Sequence, residues 1–205
     1  MEKKLTKKKS KIIKIVILTF FIAAIIEIFV PSGFRFEYLQ QQNYPENQEL
    51  TMDINDFTVE GGVISNNLLE ATTNDTYLLL NNSLDMPLTY VKVFFGQPVE
   101  IKSRFVVYYT TGAGQEFGDA QSVSYYVSPG DTFATIDMSG VGQTINTIRI
   151  DVADQAGPAF DIENITFEYL KPLDVCIKKF SVVRLLMFWA ILALIPIELM
   201  NINKL

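Results

Sequence analysis

Histidine is absent from the sequence, and cysteine occurs once, at Cys176. Without histidine the chain cannot form a Ser-His-Asp or Cys-His nucleophile system or a histidine proton shuttle. Zinc sites with the usual histidine or paired-cysteine ligands are excluded because the sequence has no histidine and only one cysteine. One cysteine cannot close an intramolecular disulfide, so we expect a bacterial cell-surface domain that folds without disulfides. Since no other catalytic constellation is evident, the sequence favours a protein that is not an enzyme.

Long hydrophobic runs occur only at the two ends of the chain. Of its 205 residues 49% are hydrophobic, and the mean hydropathy of +0.21 is high for a soluble domain. The first run, Ile12–Val30, has 19 residues, close to the roughly 20 that cross a bilayer. It predicts a transmembrane helix. A cleavable signal peptide is the alternative, but it would have a shorter apolar core and a small-residue cleavage site, which "IIEIFVPSGF" lacks.

The second run, Phe180–Met200, is interrupted near both ends. Arg184 lies near its start, and Pro196 and Glu198 lie near its end. The uninterrupted apolar core is Leu185–Ile195. A short or tilted transmembrane helix fits this run, and an interfacial helix is the alternative.

Charge predicts the orientation of these helices. Positive residues beside a membrane helix stay in the cytoplasm, so both termini are expected inside the bacterial cytoplasmic membrane and the middle region outside. Residues 31–179 carry 20 Asp or Glu and 8 Lys or Arg, a net charge of about −12. Such a surface repels nucleic acid and acidic glycopolymers unless cations intervene. The positive residues before and at the start of the first run are Lys3, Lys4, Lys7, Lys8, Lys9, Lys11 and Lys14.

The chain is thus predicted to have seven parts. They are a basic cytoplasmic tail, a transmembrane helix, a stalk or loop, an extracytoplasmic β domain, a juxtamembrane linker, a second transmembrane helix and a cytoplasmic tail. Their predicted bounds are, in that order, residues 1–11, 12–30, 31–52, 53–170, 171–180, 181–200 and 201–205.

The middle region has the pattern of an all-β sandwich or barrel, because short β-branched and aromatic runs alternate with Gly, Pro, Asn and Asp. We predict a jelly-roll-like sandwich of about eight strands, a normal number for one domain. Along one run Ile148, Ile150 and Val152 share an apolar face, while Arg149 and Asp151 share a polar one. The clearest runs are "DFTVEG", "TYLLL", "LTYVKVFFG", "SRFVVYYTTG", "SVSYYVS", "TFATIDM", "INTIRIDV" and "FDIENITFEYL".

Adjacent aromatic residues on these runs are candidate ligand-binding residues. Side chains alternate along a strand, so one member of each pair should face the core and the other should face outward or toward the second sheet. Exposed aromatic rings can stack on sugar rings. The alternative is that both faces are covered. The pairs are Phe94 with Phe95, Tyr108 with Tyr109, and Tyr125 with Tyr126.

Two loops carry further candidates. In "TTGAGQEFGDAQS", Gln115, Glu116 and Asp119 can hydrogen-bond to hydroxyl groups, although an idle hairpin loop is equally compatible. The stretch "TIRIDVADQAGPAFDIENITFEYL" groups four carboxylates around a Gly-Pro turn, and we interpret it as the polar faces of a hairpin. A calcium site on Asp151, Asp154 and Asp161, completed by another loop, is one alternative. Paired carboxylates for glycoside hydrolysis, with Glu163 the fourth member of the group, are another.

One contact between the two end helices is also predicted. Glu27 lies about one turn from the outer end of the first helix, and Arg184 about one turn inside the outer end of the second. Charges at that depth usually pair, so we expect an intramembrane ion pair between them. Snorkelling of both side chains to the headgroups is the alternative.

The order of "IIEIFV", the acidic β region that closes on "RID...GPAFDIENI", and "FSVVR" resembles the N-terminal part of large polytopic, glycosyltransferase-like bacterial membrane proteins of cell-envelope polysaccharide pathways. The resemblance implies a carbohydrate-binding-module-like sandwich held between the first two helices, with many helices after it. This chain ends at Leu205, so a truncated relative or a stand-alone accessory subunit is expected.

The hypothesis that follows is a non-catalytic β domain that binds or organises cell-envelope glycans as an accessory to polysaccharide synthesis. Two alternatives remain: a structural subunit docked on a polytopic membrane transferase, or a truncated fragment of one. Expected partners are the membrane, glycan and a polytopic protein, but not nucleic acid. No cofactor is expected, and bound calcium is the alternative.

Overall fold

The computed structural model describes residues 2–29 and 46–202, which form two compact units. One unit contains the helices from both ends of the chain, and the other contains the strands between residues 46 and 171. Most of the predicted stalk, residues 31–45, lies outside the described residues, as do Val30 and residues 203–205.

The helical unit is formed by α1 (Glu2–Phe29), α2 (Pro172–Lys179) and α3 (Val182–Ile202). The segment predicted as a basic tail is therefore helical from Glu2, and α2 occupies most of the predicted linker. Phe180 and Ser181 separate α2 from α3. The Ser181 hydroxyl accepts a hydrogen bond from the Arg184 N–H at 3.4 Å, as an N-cap residue does. Within the described residues, no helix contains a stretch that is long and apolar enough to cross a membrane.

The second unit consists almost entirely of antiparallel strands. Their bounds are β1 (Gln48–Met52), β2 (Phe57–Glu60), β3 (Gly62–Ser65), β4 (Leu68–Ala71), β5 (Thr76–Leu80), β6 (Met86–Pro87), β7 (Tyr90–Phe95), β8 (Ser103–Thr110), β9 (Ser122–Val127), β10 (Phe133–Asp137), β11 (Thr144–Ile145), β12 (Thr147–Ala153) and β13 (Ala159–Tyr169).

These strands form two sheets that enclose one apolar core. One sheet has the order β10-β7-β13-β4-β3, with β1 also paired to β13, and the other has the order β2-β5-β12-β8-β9. The short strands β6 and β11 pair separately. The prediction of a mainly β sandwich is therefore confirmed.

Three phenylalanine rings show how the two sheets pack. Phe105, on the five-stranded sheet, is fully buried. Its ring contacts Phe95 and Phe160 of the six-stranded sheet edge-to-face, with centroid distances of 5.9 and 5.2 Å. Edge-to-face pairs at this spacing add to the stabilisation from buried apolar area. The apolar sides of the alternating strands thus meet between the sheets.

The sandwich begins earlier than the sequence indicated. β1 pairs with β13 from Gln48↔Tyr169 to Met52↔Ile165, so residues 48–52 belong to the sheet and not to a stalk. The β3–β4 hairpin was also missed, although Asn66 and Asn67 make its turn with positive φ of 52° and 65°. Asparagine tolerates this conformation and favours two-residue hairpin turns.

The expected hairpin around the Gly-Pro turn was wrong. β12 pairs with β5 and β8, whereas β13 pairs with β7, β4 and β1, so the turn carries the chain from one sheet to the other. Both strands alternate in the same way, which made them look like neighbours. Alternation reports which side of a strand is buried, but it does not report which strand lies beside it.

Candidate functional site

The outer face of the five-stranded sheet carries three tyrosines: Tyr77 on β5, Tyr108 on β8 and Tyr126 on β9. We call this surface the tyrosine face. It is the face opposite the core because the residues that alternate with these tyrosines are buried or pack against core residues. No helix of the same compact unit covers it, since that unit contains only strands, turns and short 3₁₀ segments among its described residues.

The adjacent tyrosines are divided between the two faces. Tyr109 and Tyr125 pack against the core, whereas Tyr108 and Tyr126 point outward. Tyr126 is the more open of the two, with 57% of its surface exposed. The four candidates therefore do not form one site, and only Tyr108 and Tyr126 can contact a ligand on this face.

An arginine organises the centre of the tyrosine face. The Arg149 guanidinium lies over the Tyr77 ring at 3.7 Å from its centroid and 5.5 Å from that of Tyr108. Its Nε and Nη2 donate to the two carboxylate oxygens of Asp151 at 2.6 and 3.0 Å. Nη2 also donates to Asp75 at 2.5 Å. Stacking and bidentate pairing together fix the plane of the guanidinium.

Asp75 reaches this arginine because of a turn built around Gly61. The Gly61 carbonyl accepts hydrogen bonds from the Thr72 N–H at 2.9 Å and the Thr76 hydroxyl at 2.6 Å. Gly61 has φ of 68°, and a Cβ there would lie 2.4 Å from the Asp75 carbonyl oxygen. Only glycine allows this close approach, and the approach holds the Asp75 segment beside β12.

Burial changes the titration of the groups around Arg149. Desolvation raises the pKa of the Asp151 carboxyl, against the opposing effect of its hydrogen bond with Arg149. Desolvation also raises the pKa of Tyr108, with a further contribution from the charges of Asp151 and Asp119. Desolvation lowers the pKa of Arg149, but the hydrogen bond and charge of Asp151 outweigh it and the net shift is upward. Tyr108 is therefore a neutral hydroxyl donor at physiological pH.

A shallow strip connects the two outward tyrosines. Tyr108 lies opposite Ser122, Val106 opposite Ser124, and Arg104 opposite Tyr126. From a rise of about 3.4 Å per residue and a strand spacing of about 4.8 Å, the Cα atoms of Tyr108 and Tyr126 are about 14 Å apart. The Lys102 ammonium lies 5.1 Å from the Tyr126 ring centroid at the end of the strip. The geometry suits an extended ligand that contacts rings and hydroxyls.

The β8–β9 loop borders this strip. Gln115 accepts a hydrogen bond from the Thr111 N–H at 2.9 Å and donates one to Gln121 at 3.0 Å, so its side chain holds the loop together. Glu116 and Asp119 are exposed. The charge of Asp119 acts on Tyr108, which places it near the tyrosine face.

The three carboxylates considered for calcium lie in different surroundings. Asp151 is paired with Arg149 on the five-stranded sheet, Asp161 belongs to the other sheet, and Asp154 is exposed in the connection between them. Among the described residues, no three acidic, histidine or cysteine side chains are grouped so that they can hold a metal ion. The fourth carboxylate, Glu163, is exposed on β13.

The helical unit brings Glu27 and Arg184 together. Glu27 is 1% exposed and accepts hydrogen bonds from Arg184 Nη2 at 2.9 Å and from the Ser181 N–H at 2.7 Å. Arg184 also donates to the Lys179 carbonyl. The carboxylate therefore holds the junction of α2 and α3 as well as the arginine.

Sequence reasoning missed Tyr77, Asp75 and Lys102 as members of the tyrosine face. Alternation placed Arg149 and Asp151 on a polar side. The register that sets Arg149 opposite both Tyr108 and Leu79 depends on long-range strand pairing. One feature of the sequence could have indicated this site. Arg149 is the only arginine in its strand, and its neighbours on the same polar face are a hydroxyl residue, Thr147, and an acidic one, Asp151.

No protein-family model matches the chain, and no curated protein sequence matches it. Solved structures with a similar fold exist. Several of them are carbohydrate-binding modules.

Three of these structures show how similar the matches are in sequence identity, coverage and TM-score. A low-affinity xylan-binding module from Roseburia intestinalis is 17% identical over 58% of this chain and 94% of that one, with a TM-score of 0.41. A variant of a family 29 carbohydrate-binding module complexed with cellulohexaose is 14% identical over 63% of this chain and 100% of that one, with a TM-score of 0.46. A glycosylation associate protein complex from Streptococcus agalactiae is 11% identical over 67% of this chain and 29% of that one, with a TM-score of 0.41.

Proposed function

We propose that the protein is a non-catalytic, membrane-anchored β-sandwich that binds or organises glycans of the bacterial cell envelope as an accessory to polysaccharide synthesis. The observation that carries glycan binding is the tyrosine face. Tyr108 and Tyr126 present rings on one open sheet surface, and the strip between them carries the hydroxyls of Ser122 and Ser124 and the exposed Arg104. The apolar faces of sugar rings stack on aromatic rings, and their hydroxyls pair with the polar groups between.

The neutralised charge of Arg149 indicates which kind of glycan can bind to the tyrosine face. Two carboxylates, Asp151 and Asp75, neutralise it, and the surrounding domain is strongly acidic. The centre of the face therefore presents no unpaired positive charge. Two cations, Arg104 and Lys102, lie at its Tyr126 end, but the net charge of the domain around them is strongly negative and disfavours an anionic polymer. Neutral glycans are the class that fits, bound weakly through stacking and short hydrogen bonds.

Membrane anchoring is proposed from the helical unit. Many of its large apolar side chains are more than half exposed, which is unfavourable in water and suits a lipid environment. These include Ile13, Ile17, Leu18, Phe21, Ile25, Val182, Val183, Met187, Ile191, Leu194 and Ile195. With the basic residues of the first part of α1 on the cytoplasmic side, the sandwich lies outside the cytoplasmic membrane and both termini lie inside.

A second candidate function is that of an interaction subunit. The same exposed apolar side chains suit packing against the helices of a polytopic transferase, as the resemblance to glycosyltransferase-like proteins implies. In that case the sandwich positions the partner or its product and does not need to bind sugar itself.

Binding of the full chain in detergent micelles to an array of neutral and anionic envelope oligosaccharides tests the first proposal. We expect neutral oligosaccharides to bind. Tyr108→Ala and Tyr126→Ala should each weaken binding about 5- to 30-fold, since one aromatic contact contributes about 1–2 kcal/mol. Phe133→Ala is the matched control, because Phe133 is 53% exposed on the other sheet. Unchanged binding in the double tyrosine variant would show that this face is not the site.

A further inference from the structure

A groove that shares no residue with the tyrosine face lies at one end of the sandwich. Its main part has a volume of about 610 Å³ and is bordered by the β3–β4 turn, the β7–β8 loop and the start of β13. A smaller part of about 320 Å³ extends along the β12–β13 connection and shares Glu100 and Ala159 with it. We call the two parts together the end groove. Binding sites for small ligands commonly have volumes in this range.

Backbone hydrogen bonds hold the walls of the end groove. The Val99 N–H donates to the Asp131 carbonyl at 2.9 Å, and the Val99 carbonyl accepts from Gly130 at 2.8 Å, so the middle of the β7–β8 loop is fixed at a buried residue. The Ile162 N–H donates to the Asn67 carbonyl at 3.1 Å and joins the β3–β4 turn to β13. A groove with walls held in this way loses little entropy when a ligand binds.

Gly96 makes room for a carboxylate in this groove. A Cβ at Gly96 would lie 2.6 Å from Oδ2 of Asp161, which is closer than Cβ atoms approach oxygen. The Gly96 N–H donates to the Asp161 carbonyl at 2.8 Å and holds the two residues side by side. The absent side chain therefore leaves the space that the Asp161 carboxylate occupies.

The charge of the end groove has one sign. Glu100 and Asp161 are the charged residues of its lining, and among the described residues neither is in an ion pair. Glu70, which lies opposite Ala159 on β4, adds to the negative surroundings. An apolar wall lies beside these carboxylates, and it includes Leu68, which is 42% exposed. The groove is complementary to a ligand that has a positive group next to an apolar face.

We propose that the end groove binds an amine-bearing sugar unit, whose ammonium group pairs with Asp161 and Glu100 while its apolar ring face packs on Leu68. That the amine is carried by a sugar rests on the proposed function; that the ligand is cationic rests on the lining of the groove alone. The tyrosine face and the end groove are then two separate binding surfaces, the first acting by stacking and the second by charge.

Isothermal titration of the full chain in micelles with two oligosaccharides of equal length, one of glucosamine and one of N-acetylglucosamine, tests this proposal. We expect the glucosamine oligomer to bind at least ten times more tightly, and its affinity to fall as salt is raised, since partly exposed ion pairs are screened. Equal affinity for the two oligomers, or no dependence on salt, would overturn the proposal.

Variants locate the binding. Asp161→Asn and Glu100→Gln should each remove most of the preference for the amine, while the exposed, non-lining Asp154→Asn should keep it. Glu100 is exposed, so its substitution leaves folding unaffected and keeps the test valid if the Asp161 variant is unstable. If all three variants act alike, the net charge of the domain is responsible and not the groove. The Tyr108 and Tyr126 variants should leave the amine preference unchanged, so failure of the tyrosine face and failure of the end groove give different results.

Discussion

The helical unit and the β sandwich differ in where their large apolar side chains lie. In the sandwich most of them are buried, with Phe105, Val107 and Ile150 all fully covered. In the helical unit Leu18 is 60% exposed, while Glu27 is 1% exposed. Among the described side chains, large apolar groups are thus mostly inside the sandwich and mostly on the surface of the helical unit.

This difference fits the proposed membrane anchoring, in which the two units fold in different solvents. Water drives apolar side chains together, and the sandwich needs nothing more to form its core. Hydrocarbon gives no such drive, so helices within it associate through close packing and polar contacts. The helical unit has both: Ala23 is fully buried, and the Trp189 indole N–H donates to the Val16 carbonyl at 3.2 Å.

The largest loss of stability is expected when an aromatic ring is removed from the core of the sandwich. Phe105→Ala removes a ring that contacts both Phe95 and Phe160, and should lower the free energy of unfolding by about 3–5 kcal/mol. Denaturant unfolding followed by tyrosine fluorescence measures it. Phe133→Ala, at an exposed site on the same domain, should change stability by less than about 1 kcal/mol. Equal losses in the two variants would mean that the rings between the sheets do not form the core.

A smaller effect is expected from the polar interior of the helical unit. Glu27→Ala leaves both the Ser181 N–H and the Arg184 guanidinium without their acceptor, at a cost of about 3 kcal/mol, because Arg184 is partly exposed and can find other partners. Thermal unfolding of the full chain in micelles measures the loss.

Two further variants separate the contributions of Glu27. Glu27→Gln should lose less than Glu27→Ala, since its amide oxygen still accepts from Ser181. The exchange of charges, Glu27→Arg with Arg184→Glu, should restore stability only in part, because an arginine cannot accept from the Ser181 N–H. Full recovery in the exchanged pair would show that charge alone matters at this junction.

The smallest effect concerns a buried hydroxyl of the sandwich. Desolvation, with the charges of Asp137 and Glu168, raises the pKa of Tyr90 to about 12. In the unfolded chain the value is about 10, so the folded state holds the proton more tightly. This contribution is complete below pH 10 and is lost as the pH rises toward 12, by at most about 2–3 kcal/mol. Denaturant unfolding at pH 9 and pH 11.5 should show a smaller pH dependence for Tyr90→Phe than for the native chain; equal dependence would place the effect on other groups.

The local pattern of apolar and polar residues predicted most strands of the sandwich. It did not predict which strands pair with each other. β-branched and aromatic runs identified eight strands, because these strands have at least one apolar side: β2, β5, β7, β8, β9, β10, β12 and β13. β1 was missed since "QELTM" is largely polar and lies at the margin of the domain. The turn at Asn66 and Asn67 was overlooked for a different reason: "VISNNLLEA" has too few residues on each side to show a clear period.

The candidate site depended even more on pairing. Alternation correctly implied that one tyrosine of each adjacent pair faces the core, but not which one. That choice is set by the strand register, for example Tyr125 opposite the buried Phe105. The end groove has no sequence signal, because its walls come from three connections that are distant in the chain.

The most direct test of the two-solvent account compares two side chains of nearly equal exposure. Leu18 in the helical unit is 60% exposed and Val63 in the sandwich is 58% exposed. In a Cys176→Ser background, Leu18→Cys and Val63→Cys are placed in lipid vesicles, opened by freeze-thaw, and treated with a charged maleimide that does not enter hydrocarbon. If the helical unit lies in lipid, we expect rapid labelling of Val63→Cys and none of Leu18→Cys until the lipid is dissolved in denaturing detergent. Labelling of both at the same rate in intact lipid would contradict it.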